Sequence, residues 1–196
     1  MSSQMFLSNR NKTPPLRIGG GRFNGRRLQS VPGLGVRPTS GRVRQALFNM
    51  LRPRIGNAIF VDLFAGTGSV GLEALSHGAR EVIFVEQDHR TVAVLQDNIQ
   101  RCAVVDHTTI IRASLPQALQ QVAAAAPVDL LFLDPPYASD LAEMTLDALQ
   151  GMAVLAPPGV LIWQHAVHHA VPGEVLGRPC WKVRRYGDTQ LSLYTR

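Results

Sequence analysis

The sequence predicts an α/β protein: a mostly parallel, doubly wound sheet of seven strands, closed by an antiparallel hairpin and preceded by a basic extension. Three observations predict it. From residue 58 onward, short apolar segments alternate with segments of helical spacing, the signature of βαβ units and right-handed crossovers. A glycine-rich turn, Gly66 to Gly71, joins the first such strand to the first such helix. The tail carries two segments of strand type separated by the turn dipeptide Gly187-Asp188.

Taken in order, residues 1–15 are polar, end in Pro14-Pro15 and are expected to be a flexible terminus. Leu16-Arg17-Ile18 and Gly25-Arg26-Arg27-Leu28 flank a Gly19-Gly20-Gly21 turn and read as two short strands. Thr39 or Ser40 offers an N-cap for a helix to Leu51, in which Val43, Ala46, Leu47 and Met50 share one face, with Arg42 and Arg44 on the other. Arg52-Pro53 ends it. Strands follow at 59–64, 82–85, 108–111, 128–133 and 160–164, and helices at 69–76, 89–101, 115–126 and 139–152. Strands at 181–186 and 190–194 form the tail hairpin. The expected organisation is therefore a flexible segment 1–15, a basic extension 16–54, and a catalytic domain 55–196.

Charge divides the chain at the same place. Residues 1–54 hold 11 of the 20 basic groups and no acid; the remaining 142 residues hold 9 basic groups against all 14 acids, a net −5 within a total of +6. A basic arm on a mildly acidic body implies a polyanionic partner for one end only. At 45% hydrophobic the chain is too apolar for global disorder. No apolar run reaches the length of a membrane span, the start lacks a signal-peptide core, and Cys102 and Cys180 form neither a CxxC pair nor a disulfide framework. The expectation is a cytoplasmic monomer without membrane association.

Residues 66–71 spell GxGxxG, and Glu86, ending the second strand, lies twenty residues after Gly66. Glycines for close ligand approach and an acid for a ribose diol are the parts of a dinucleotide site, so a nicotinamide-dependent oxidoreductase is one reading. Asp62 argues against it. This residue ends the first strand where the ligand lies, and a pyrophosphate there would face a carboxylate in low dielectric. A ligand with a cationic amino group and a sulfonium would be favoured instead. S-adenosylmethionine has both.

Asp134-Pro135-Pro136-Tyr137 follows the apolar segment 128–133 directly. Each proline holds the residue before it extended and withholds a backbone donor. The loop therefore offers a carboxylate and a carbonyl, both acceptors, beside an aromatic ring. This suits a primary amine on a planar heterocycle, whose lone pair is delocalised into the ring. Accepting both N–H groups at Asp134 and the Pro135 carbonyl draws the nitrogen towards tetrahedral geometry and frees the lone pair for attack. Tyr137 can stack on the base.

These residues, in this order, resemble the class I S-adenosylmethionine-dependent methyltransferases that modify exocyclic amines. Arg17 to Gly20, Gly25 to Leu28, Arg37-Pro38-Thr39 and Arg42 to Asn49 narrow the resemblance to the bacterial guanine-N2 methyltransferases of 16S ribosomal RNA. Asp62 to Gly68, Gly71 to Leu75, Phe84 to Glu86 and Asp134 to Tyr137 match that family too. The resemblance implies a Rossmann-like class I fold with S-adenosylmethionine as cofactor. Asp62 and the loop Phe64, Ala65, Gly66, Thr67 and Gly68 would hold the methionine part, and Glu86 the ribose. Asp134, Pro135, Pro136 and Tyr137 would receive the target amine, and Arg17, Arg22, Arg26, Arg27, Arg37, Arg42 and Arg44 the RNA. The implied partner is 16S ribosomal RNA within an assembled or assembling small subunit. Ser114 stands where an acidic residue commonly meets the adenine, and Gln45 replaces a glutamate usual in the basic helix.

His165, His168 and His169 lack a nearby carboxylate or cysteine to complete a ligand set, so they read as loop residues and no metal is expected. Three rivals stay open. A DNA adenine-N6 methyltransferase keeps the chemistry, but 196 residues leave little room for a target-recognition domain. An oxidoreductase has no use for Asp62 or the Asp134 loop. A non-catalytic RNA-binding factor leaves the cleft unexplained.

Overall fold

The computed structural model describes residues 15–31, 39–136 and 139–196. Eight strands form one sheet: β1 (Ile59–Asp62), β2 (Glu81–Val85), β3 (Thr108–Ile111), β4 (Val128–Leu133), β5 (Leu155–Ala166), β6 (Glu174–Val175), β7 (Arg178–Tyr186) and β8 (Thr189–Tyr194). Their spatial order is β3-β2-β1-β4-β5-β8-β7-β6. The pairs from β3 through β5 are parallel, and those of β5 with β8, β8 with β7 and β7 with β6 are antiparallel. The order runs outward from β1 to β3 and then returns to the other side of β1 with β4. The carboxyl ends of β1 and β4 therefore flank the switch point, where open α/β sheets bind their ligands.

The helices are α1 (Gly41–Leu51), α2 (Ser69–Ser76), α3 (His89–Cys102), α4 (Leu119–Ala123) and α5 (Leu141–Leu149). Leu47 and Phe48 of α1, Leu72 and Leu75 of α2, and Leu95 and Ile99 of α3 bury one sheet face with Phe60, Phe84, Phe132 and Ile162. Leu119 and Val122 of α4 and Leu146 and Leu149 of α5 bury the other face with Val61, Ile83, Leu131 and Trp163. Successive strand residues thus alternate between two buried faces, which makes these segments continuous apolar runs. The same parity puts Asp62, Asp134 and Gln164 one step beyond Phe60, Phe132 and Ile162, on the face that α1 covers.

Several boundaries differ from the sequence expectation. The helix expected over 115–126 reduces to α4, because Pro116 near its start disfavours helical backbone at Leu115. Strand β5 begins at Leu155 rather than 160 and carries Pro157 and Pro158 across a register shift. Arg178 makes that irregular stretch tolerable: its guanidinium donates to the carbonyls of Leu155, Ala156 and Pro157 at 3.1, 2.7 and 3.1 Å. Strand β6 is only two residues long and had no legible pattern. His165 is a correction. It is a buried residue of β5 rather than part of a loop, sharing a 2.8 Å hydrogen bond with Ser192 Oγ.

The two short strands of the extension pair through one bridge, Arg17 to Arg27, with Ile18 N donating to Arg26 O and Leu28 N to Leu16 O. Between them, Gly21 takes φ 72° where a Cβ would run into the Ser76 carbonyl, so only glycine lets this turn lie on α2. Ser40 caps α1 as expected, accepting from Val43 N at 3.3 Å. The flexible segment expected over 1–15 lies, but for Pro15, outside the described residues, as do Arg37 and Tyr137. No described helix is long and apolar enough to cross a membrane.

Candidate active site

Strand β1 delivers Asp62 to the switch point with 1% of its surface exposed, and neither carboxylate oxygen has a hydrogen-bond partner. Burial, and then the nearby Asp134 carboxylate, push its pKa up to about 8; the Gly71 and Phe64 amides face it and pull it partly back without reaching hydrogen-bond geometry. Two acceptor oxygens this deep, without a donor from the protein, fit a cationic ligand group.

The glycine loop turns immediately after. Leu63 N donates to Phe132 O, Ala65 N to Val85 O, and Gly68 N to Ala65 O, which ties the loop to β4 and β2. Gly66 and Gly68 take φ 53° and 84°, and the space a Cβ would occupy at Gly66 is open. At Gly68, the N-cap of α2, a Cβ would meet Leu95 of α3 instead. Glu86 at the end of β2 accepts from Gly66 N at 3.0 Å through Oε2 and from Asp88 N at 2.9 Å through Oε1. It thereby braces the loop from the side. Phe64 and Thr67 are half-buried along this rim. Ser114, beyond β3, is exposed and donates to Gln117 Oε1 at 3.1 Å.

Asp134 stands just past β4, and β4 pairs with β1 in register Asp62 to Phe132. Two donors meet its Oδ2: Thr39 Oγ1 at 2.8 Å and Gln164 Nε2 at 2.9 Å. Burial raises its pKa to about 7, and these two hydrogen bonds hold it back. Pro135 is buried and Pro136 exposed, with the Pro136 carbonyl accepting from Ser139 Oγ at 2.8 Å.

The fit to S-adenosylmethionine follows from this arrangement. The two unpartnered Asp62 oxygens match a cationic group, the space beside Gly66 is open, and the Glu86 carboxylate lies next to that same glycine. Among the described residues no cluster of three or more His, Cys, Asp or Glu could hold a metal ion.

The arginines assigned to RNA separate into two groups. Arg17, Arg22, Arg26, Arg27 and Arg42 are exposed. Arg22 and Arg26 lie 4.5 and 5.1 Å from the Phe23 ring centre, and Arg26 also donates to Arg101 O at 2.7 Å. Arg44 is a correction. Only 3% exposed, it pairs with Glu73 at 2.9 Å and donates to the carbonyls of Thr39 and Arg17, each at 2.6 Å, so it has nothing left to offer RNA. The helical spacing that set it opposite Val43 did not foresee that the Leu16–Leu28 hairpin would cover that face of α1.

Sequence reasoning overlooked three residues. Asn98 of α3 is fully buried and donates to Thr67 O at 2.9 Å while exchanging two hydrogen bonds with the Gln29 backbone, linking the glycine loop to the extension. Its signal was a polar residue among Leu95, Ile99 and Cys102 on the inward stripe. Thr39 and Gln164 carried no such signal, because only the fold brings them to Asp134.

The model of the family described as conserved hypothetical protein 95 matches residues 16–195. Ribosomal RNA small subunit methyltransferase D of Escherichia coli is 32% identical over 194 residues, covering 98% of this chain and 96% of that protein. Its namesake in Haemophilus influenzae is 38% identical over 141 residues, 71% of this chain and 72% of that protein. Among solved structures, a hypothetical protein of Thermus thermophilus superposes with a TM-score of 0.78 at 32% identity, covering 92% of this chain and 99% of that one. The chain belongs to the conserved hypothetical protein 95 family, and so to the methyltransferases it matches.

Proposed function

We propose that this protein transfers a methyl group from S-adenosylmethionine to the exocyclic N2 amine of a guanine in 16S ribosomal RNA of the small ribosomal subunit. The reading rests on one observation above the others: the Asp134 carboxylate stands beside a buried, unpartnered Asp62 carboxylate at the end of neighbouring strands. The kinship with ribosomal RNA small subunit methyltransferase D supports the nucleic acid named.

The cofactor, when bound, supplies an electrophilic methyl group on a sulfonium. Asp62 and the backbone of Phe64, Ala65, Gly66, Thr67 and Gly68 hold its methionine part, Glu86 the ribose hydroxyls, and Ser114 accepts at the adenine without adding charge. Asp134 and the Pro135 carbonyl accept the two N–H groups of the amine, which localises its lone pair towards the cofactor side. A carboxyl with pKa about 7 is also suited to taking the proton the amine sheds. Pro136 stiffens the loop, and Tyr137 stacks on the base. Little else is needed, since positioning and electrostatics carry a displacement of this kind.

Residues 16–54 form the RNA-contacting extension on a catalytic domain of residues 55–196. Arg17, Arg22, Arg26, Arg27, Arg37 and Arg42 meet phosphates, and the protein works as a cytoplasmic monomer on an assembled or assembling subunit. The test is radiolabelled methyl transfer to ribosomal RNA and to small subunits from a strain lacking the enzyme, with the modified nucleoside identified. N2-methylguanosine is expected, with subunits the better substrate. N6-methyladenosine would overturn the assignment.

A further inference from the structure

We propose that the N-terminal extension supplies part of the catalytic centre: Thr39, backed by the buried Arg44–Glu73 pair, joins Gln164 in holding Asp134 by Oδ2, so that Oδ1 is presented to the amine. Thr39 and Gln164 are positioning residues. This inference rests on the reading of Asp134 as the amine acceptor.

A carboxylate rotates about a single bond, so one hydrogen bond constrains it weakly and two on the same oxygen constrain it well. The two donors come from opposite ends of the chain, Thr39 lying 95 residues before Asp134 and Gln164 lying 30 residues after it. Gln164 is 3% exposed, and its amide orientation is dictated by Asp134: the reverse would set its oxygen against the carboxylate. That orientation leaves Gln164 Oε1 buried without a partner. An unsatisfied buried acceptor is unfavourable, and an apolar side chain of the same length would avoid it. The amide is therefore there for the N–H it gives Asp134.

Thr39 is held just as deliberately. Arg44 donates from Nη1 to Thr39 O at 2.6 Å, from Nη2 to Arg17 O at 2.6 Å, and from Nε to Glu73 Oε2 at 2.9 Å. Glu73 Oε2 also accepts from Gly19 N at 3.1 Å. One guanidinium thus fastens the residues before α1, the extension hairpin and α2, a three-way fork no ammonium could reproduce. Helix α2 begins at the end of the glycine loop, so the pair sets the position of Thr39 relative to the cofactor side of the cleft. The extension that carries the exposed arginines is the one that orients the acceptor.

The test uses Thr39→Val, which keeps the shape and loses the donor, Thr39→Ser, which keeps the donor, and Gln164→Met. Each full-length variant is assayed with S-adenosylmethionine and small subunits from the enzyme-deficient strain, for kcat, both KM values and the pH profile of kcat. Loss of a donor to a charged group should lower kcat about tenfold in Thr39→Val and in Gln164→Met, with both KM values within about twofold of the parent. The acidic limb of kcat should move to higher pH in both, because burial still disfavours the charged form of Asp134 while a donor that favoured it is gone. Thr39→Ser should recover most of kcat and the parental limb. Parental kcat and limb in either Thr39→Val or Gln164→Met, or an effect confined to the KM for subunits, would overturn the clamp. Asp134→Ala, run in parallel, separates the two ideas: if it stays active, the acceptor reading fails, whereas an inactive Asp134→Ala beside parental clamp variants sinks the clamp alone.

Discussion

Arg44 and Glu73 form an ion pair at 2.9 Å with 4% and 1% of their side chains exposed, and it joins the basic extension to α2, the helix that follows the glycine loop. A pair buried this deeply has surrendered most of its hydration, so its worth lies in where it holds the backbone more than in net stability. It also fastens the segment around α1 to α2 through a buried arginine and not only through apolar contact.

Arg44→Met should therefore destabilise the fold by roughly 3–5 kcal/mol, because Glu73 is left buried without its partner. For a chain of this size that lowers Tm by roughly 10 °C. The double variant Arg44→Met with Glu73→Leu should recover much of the loss, since the uncompensated charge is removed. Thermal unfolding of the two variants measures both. A single variant with parental Tm would show that the pair is not closed in solution.

Asp134→Ala should leave cofactor affinity nearly intact and lower kcat by roughly 10²–10³-fold, the scale of losing one aligned group at a reacting centre. Calorimetric titration with S-adenosylhomocysteine and single-turnover methyl transfer separate the two quantities. Transfer at the parental rate would end the amine-positioning role.

Asp62 makes stability and binding depend on pH with a definite sign. Its pKa is about 8 in the folded protein against 3.8 in the unfolded chain. The folded state thus holds the extra proton across that window, and the ligand-free protein loses stability as pH rises through it. Binding a cationic amino group there should expel the proton. Calorimetry of S-adenosylhomocysteine at pH 7, repeated in buffers of different ionisation enthalpy, should report close to one proton released, and Asp62→Asn should abolish that release. No release from the parent protein would mean that Asp62 does not meet the ligand's charge.

The exposed arginines should show themselves in salt dependence. Replacing Arg22 and Arg27 by alanine should weaken binding to ribosomal RNA and reduce the slope of log K against log salt by about 1–2. An unchanged slope would exclude this patch as a phosphate contact.

The linear order of residues was enough to identify the alternating strands and helices, the glycine loop at 66–71 and the Asp134 loop, because these depend on periodicity and on local backbone chemistry. It also separated an arm with no acid from a body that holds every one, and the carboxylates Asp62, Glu86 and Asp134 all lie in that body. Boundaries failed where tertiary contacts overrode local preference: Arg178 satisfies the carbonyls of a proline-containing stretch and so lengthens β5. Arg44 looked like one more cation of the arm, since a helical wheel says which residues share a face but not what packs against that face.

Only the tertiary structure decided what surrounds Asp134. Its partners Thr39 and Gln164 sit in a segment before α1 and in β5, two places from β1 in the sheet, and no local pattern links residues so far apart in the chain. They meet because sheet parity aligns Asp62, Asp134 and Gln164 beneath α1, and because the Arg44 fork pins the extension over that row. Chemistry-bearing residue types were written locally; their mutual orientation is a property of packing.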